Sequence, residues 1–248
     1  MLTETMPGLL LGLLGAVWAA LLFGGLIVGT PNSERTGRIP TWMRMGSSLT
    51  LVVAAWTFAL LLRTTPHADI ALLAAAGMTL GFVGDLFMAK LIIRSEQSVF
   101  GGIGAFGLGH VAYIAALIGI ASQFGLQDAA PRWAALGLAL AFGAACWYVV
   151  VLRGAASPSA LHWAALPYAL LLATTAGLAG GLALQDARFI PVAIGGLLFL
   201  TSDLILAAQL FNQAYFPWIS DWVWLTYGPA QMLIVYGLGL ALSSAAAS

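Results

Sequence analysis

Eight apolar runs, each close to the length of a bilayer crossing, fill this chain from end to end: 7–29, 46–62, 69–89, 100–122, 132–152, 161–183, 189–210 and 222–243. A spanning helix needs roughly 20 mostly apolar residues. Inside lipid every backbone N–H and C=O must be satisfied within the protein, which restricts a spanning segment to a helix or a closed barrel. Runs this long, without the alternation of a barrel strand, predict an all-α polytopic membrane helix bundle of eight transmembrane helices, a single integral membrane domain over 1–248. Charge agrees: only 7% of residues are charged, against about 25% in a soluble domain. The net charge of zero offers no electrostatic footprint for nucleic acid. Membrane lipids are the expected surroundings. The lone Cys146 excludes an internal disulfide or a cysteine-built metal site, and its neighbours predict a thiol packed inside a helix. The first run lacks the basic region of a cleaved signal peptide and is long enough to span.

Connections between the runs are short and polar. Trp42, Trp133, Trp163, Trp218 and Trp222 fall near run ends, where an aromatic belt belongs. Basic residues set the orientation. Arg35, Arg38, Arg44, Lys90, Arg94 and Arg153 lie at one end of the bundle and Arg63, Arg132 and Arg188 at the other. Six against three predicts that the first end is cytoplasmic.

The two halves resemble each other. GMTLGFVGDLFMA (77–89) aligns with GGLLFLTSDLILA (195–207), sharing Gly77/Gly195, Leu80/Leu198, Asp85/Asp203, Leu86/Leu204 and Ala89/Ala207 at an offset of 118. Four runs per half make this a parallel four-helix repeat, of a kind known in transporters. Asp85 and Asp203 are the acids that lie well inside runs. An intramembrane carboxylate costs several kcal/mol, roughly 3 to 15, and by default marks function. Gly77, Gly81 and Ala89 share the face of Asp85, and Gly195, Gly196 and Ala207 that of Asp203, so both faces pack against other helices. The plain structural reading is a helix-joining hydrogen bond, or an ion pair of Asp85 with Lys90 or Arg94.

His110 is the third candidate, in GAFGLGHVAYIAAL, with Tyr113 on the same face. Tyr227 and Gln231 lie one turn apart in the last run, and Gln231 is deep enough to need a partner. Ser202 adjoins Asp203. Arg44 opens the second run, where it either snorkels or binds substrate. His67 and His162 sit at run ends as solvated residues, so zinc held by three histidines would need both to move inward. No GxSxG, HExxH, P-loop or dinucleotide-binding glycine pattern occurs.

FVGDLFMA followed by FGGIGAFGLGHVAYIAAL is similar to segments of the YhhN-like lysoplasmalogenase family. GGLLFLTSDLILA with WLTYGPAQMLIVYGL resembles that family's later signature, and PYALLLATTAGLA its sixth span. The likeness covers 77–118 and 165–240; the first two runs match by hydropathy alone. Where the family has a lysine, often Lys-Pro, opening the second span, this chain has Arg44-Met45. The resemblance implies an eight-helix integral membrane hydrolase that cleaves the vinyl ether of lysoplasmalogens to a fatty aldehyde and a glycerophospho-alcohol, with Asp85 and Asp203 catalytic. No cofactor or metal is implied.

The chemistry fits these residues independently. A vinyl ether breaks once its β-carbon is protonated to an oxocarbenium ion, a step that needs a positioned acid. A second carboxylate can stabilise the cation and activate water, the division of labour found in glycosidases. His110 joins the aspartates as a catalytic candidate; Tyr113, Tyr227, Gln231, Ser202 and Arg44 are candidates for binding a lysophospholipid substrate. Three other readings stay open. A proton-coupled transporter predicts helices broken near midspan, as at Pro229. An assembly protein predicts that Asp85→Asn is harmless. A hydrolase could act on a different ether or ester lipid.

Overall fold

The computed structural model describes residues 2–246. Eight helices follow one another: α1 (Leu2–Val28), α2 (Thr41–Leu62), α3 (Ala68–Met88), α4 (Ser98–Gln123), α5 (Ala129–Cys146), α6 (Ala160–Ala183), α7 (Ile190–Asn212) and α8 (Ile219–Ala246). All eight spans are long and apolar enough to cross a membrane, and no strand occurs among the described residues. Two departures from the sequence reading bear on function. Helix α2 starts five residues earlier than its apolar run, so Arg44 lies within its first turn rather than ahead of the span. Helix α5 does not run to its end as an α-helix; Trp147–Leu152 wind as a π-helix. Helix α8 continues through Pro229 and α4 through its glycines, so neither is broken at midspan.

Lipid tails are as apolar as leucine, so helices in a membrane associate by close packing and hydrogen bonds rather than by hydrophobic burial. The glycines supply the close packing. The Gly109 backbone approaches that of Gly77, so a Cβ at Gly109 would lie 3.0 Å from the Gly77 carbonyl oxygen. One at Gly195 would lie 2.8 Å from that of Ala230. Helix α3 thereby seats on α4, and α7 on α8. Trp42, Trp133, Trp163 and Trp222 are exposed near helix ends, as an aromatic belt requires.

The repeat is visible in the packing. α1–α2, α2–α3, α3–α4 and α2–α8 correspond to α5–α6, α6–α7, α7–α8 and α4–α6, and all eight pairs pack. Tyr113 Oη donates to Gln231 Oε1 at 2.9 Å across 118 residues, the offset that relates Asp85 to Asp203. The bundle therefore has a pseudo-twofold axis passing near this bond. The symmetry fails in one place. α8 packs closely on both α1 and α3, but its counterpart α4 stands farther from α5 and α7, meeting α7 through the rings of Phe106 and His110 on Phe199.

At the end where α1, α3, α5 and α7 finish, the α1–α2 loop is tied to the start of α8. Asp221, which the sequence reading leaves in a connecting loop, is 3% exposed. It accepts from the backbone N–H groups of Arg38 and Ile39 at 2.9 and 3.2 Å and from Arg38 Nε at 3.2 Å. The Arg38 guanidinium stacks on Trp218. This is called the basic end below.

Candidate functional site

Helices α2, α3, α7 and α8 surround a polar cavity of about 330 Å³ opening toward the basic end. Its wall holds Asp85, Asp203, Ser202, Tyr227 and Arg44, five of the eight residues singled out from sequence, together with Lys90, Gln209 and Trp224. Repeat symmetry brings the two aspartates to one space from opposite halves.

Asp85 is 4% exposed. It accepts from the Ser48 hydroxyl of α2 and from Tyr227 Oη of α8, the latter at 3.0 Å. Neither Lys90 nor Arg94 is its partner; Lys90 Nζ pairs with Glu96 at 2.7 Å. Behind Asp85 runs a chain of donors. Tyr113 donates to Gln231 Oε1, Gln231 Nε2 donates to Tyr227 Oη at 3.2 Å, and Tyr227 donates to the carboxylate. The glycines on the Asp85 face make room for this chain. A Cβ at Gly77 would lie 2.6 Å from the Tyr113 ring, and one at Gly81 2.6 Å from Gln231 Nε2. Tyr113 and Gln231 thus hold Tyr227 in place without lining the cavity themselves.

Asp203 accepts from the Tyr168 hydroxyl of α6. The two sites are related: each aspartate takes a hydroxyl from the helix before its own, Ser48 from α2 and Tyr168 from α6. Ser202 is 1% exposed and donates to the Val223 carbonyl at 3.2 Å, which fixes α7 against α8 beside Asp203. Arg44 donates through Nη2 to Thr41 Oγ1 and its guanidinium lies over Trp224. Its Nε is buried at the cavity without a protein acceptor. A guanidinium with an unused donor, in a wall that also holds Lys90, suits an anionic group such as a phosphate.

A second cavity, about 90 Å³ and almost wholly apolar, lies on the other side of Asp203. Val99, Ile103 and Phe106 of α4 line it, as do Cys146, Trp147 and Val151 of α5 and the π-helix, and residues of α6 and α7. Asp203, Met88, Phe106 and Leu206 border both cavities. Cys146 is accordingly a half-buried cavity residue, not a packed thiol.

His110 lies in neither wall. It is 2% exposed behind Phe199, whose ring centroid is 4.5 Å away, and its Nδ1 meets Thr175 Oγ1 at 2.9 Å. Its Nε2 is buried without a partner. His67 and His162 stay at helix ends: His67 pairs with Gln123, and His162 closes a capping box with Ser159. Among the described residues no group of three or more His, Cys, Asp or Glu could hold a metal ion.

Sequence reasoning passed over Ser48, Tyr168 and Thr175. A signal for the first two was present. Ser48 precedes Asp85 by 37 residues and Tyr168 precedes Asp203 by 35, so extending the repeat alignment back one helix places a hydroxyl before each acid.

The YhhN family's sequence profile matches residues 41–238, from the first residue of α2 to well inside α8. Searches of the curated proteins and of the solved structures find no match. The match takes in both aspartates, their hydroxyl partners and the walls of both cavities. By that span and that architecture, the chain belongs to the YhhN family.

Proposed function

We propose that the protein hydrolyses the vinyl ether of a lysoplasmalogen-type lysophospholipid, releasing a fatty aldehyde and a glycerophospho-alcohol. One observation carries the reading: Asp203 stands at the boundary between a polar cavity that also holds Asp85 and Arg44 and an apolar cavity. A lysoplasmalogen has the same division. Its vinyl ether joins a hydrocarbon chain to a polar glycerophosphate, so chain and head in their matching cavities set the reactive carbons at Asp203.

Asp203, facing apolar side chains and receiving one hydroxyl bond, is the proton donor. Asp85 receives two hydroxyl bonds and shares its cavity with the Arg44 guanidinium, surroundings that suit a carboxylate. Asp203 gives its proton to the β-carbon; the alkene π electrons form the new C–H bond and the ether carbon becomes an oxocarbenium ion. Water adds to that carbon as Asp85 takes a proton from it. The hemiacetal then collapses: Asp85 returns a proton to the departing glycerol oxygen, Asp203 takes the hydroxyl proton, and both groups are reset. No cofactor enters this sequence. Arg44 and Lys90 hold the phosphate, and Tyr113 and Gln231 act through Tyr227 to position Asp85. His110 supports the aromatic wall behind Asp203. With six basic residues around it, the basic end faces the cytoplasm.

The test compares purified protein in detergent on a 1-alkenyl lysophospholipid and its saturated 1-alkyl analogue. Aldehyde is expected from the first alone, because the saturated ether has no π electrons to accept a proton. Equal cleavage of both, or of neither by well-folded protein, refutes the reading.

A further inference from the structure

The repeat points to how a lipid reaches the site. Pseudo-twofold symmetry would pack α4 against α5 and α7 as closely as α8 packs against α1 and α3, but among the described residues α4 stands away from α5, and it meets α7 through the rings of Phe106 and His110 on Phe199. The apolar cavity occupies that gap. The α5–π segment is fastened on its other sides. Trp147 Nε1 donates to the His162 carbonyl of α6 at 2.9 Å, and Asn212 Nδ2 at the end of α7 donates to the Val150 carbonyl of the π-helix at 2.8 Å. Among the described residues no hydrogen bond ties this segment to α4. A π-helical turn is rare and is frequently found at functional sites; here Trp147 and Val151 of that turn line the cavity.

We infer that the seam between α4 and the α5–π segment is a lateral portal, through which the hydrocarbon chain of a single-chain phospholipid enters from the bilayer and in which it stays during reaction. The inference rests on the proposed reading of the site and adds the route and the chain's resting place. Size carries the second part. The apolar cavity, at about 90 Å³, falls far below the roughly 300 Å³ at which pockets begin to enclose even a drug-sized ligand. It holds the few carbons next to the vinyl ether and leaves the rest of the chain outside, among lipid tails. The enzyme is therefore indifferent to chain length beyond those carbons. Ile103 and Val99 form the α4 edge of the portal and Cys146, Trp147 and Val151 the opposite edge.

The test reads occupancy, not turnover. A 1-alkyl lysophospholipid, which the reaction cannot cleave, carries a photoactivated diazirine several carbons from the ether and is mixed with the full chain in nanodiscs. Expected adducts concentrate on Ile103, Cys146, Trp147 and Val151, with the same pattern for longer chains. They should fall about tenfold when an Ile103→Cys variant is bridged to the native Cys146 by a bifunctional thiol reagent, and should persist when Cys146→Ala prevents the bridge. Adducts spread over lipid-facing positions of α1 and α2, or unchanged by the bridge, overturn the portal. Portal adducts from a protein that releases no aldehyde would uphold the portal and sink the reaction; aldehyde release with adducts elsewhere would do the reverse.

Discussion

Asp203→Asn is expected to lower kcat/KM on a 1-alkenyl lysophospholipid by about a thousandfold, the middle of the range for loss of a positioned general acid. The amide keeps the volume of the carboxyl group and leaves an oxygen for the Tyr168 hydroxyl, the partner of Asp203 in the native site. Folding and lipid binding should therefore survive, and the loss should fall on kcat. An amide has no proton acidic enough to transfer to carbon, so the oxocarbenium ion never forms. Because that ion is absent, no added nucleophile restores activity. A variant within a few-fold of wild type would remove Asp203 from the acid role.

Asp85→Asn should lose a comparable amount, roughly a hundredfold to a thousandfold, and behave differently when rescued. Its loss spares protonation and removes the group that takes a proton from water. Azide needs no such help, since it adds to an oxocarbenium ion without shedding a proton. Azide should therefore speed consumption of the vinyl ether by the Asp85 variant and give an azido ether, while leaving the Asp203 variant inert. Rescue of the Asp203 variant instead would exchange the two roles; rescue of neither would show that Asp85 does not serve attack on the cation. The pair of outcomes also separates catalysis from helix joining. The Ser48 and Tyr227 bonds that fasten Asp85 to α2 and α8 can both be accepted by an asparagine oxygen.

Much of this arrangement was legible in the sequence because the membrane makes sequence signals strong. Eight runs specified eight helices, and the glycines beside Asp85 marked a packed face that proves to seat Tyr113 and Gln231. The 118-residue offset related Asp85 to Asp203, and the same offset separates the bonded pair Tyr113 and Gln231. What stayed hidden depends on which helices meet. Ser48 and Tyr168 are ordinary residues until α2 and α6 come beside α3 and α7. Asp221 reads as a loop acid, yet it is buried because the α1–α2 loop folds over it. His110 reads as a site residue on its helical face alone, and only the placement of Phe199 sets it behind the wall. The π-helix had no pattern to announce it, since a change from four- to five-residue hydrogen bonding alters no apolar periodicity over six residues.

The central claim is that the protein adds a proton to carbon, and isotope labelling of the product tests it most directly. The 1-alkenyl lysophospholipid is turned over in D₂O and the aldehyde is trapped at once, before it can exchange by enolisation. Proton transfer to the β-carbon places one deuterium on the carbon next to the aldehyde group, and that singly labelled product is the expected result. Aldehyde without deuterium at that carbon, or an intact vinyl ether beside well-folded protein, would contradict the account.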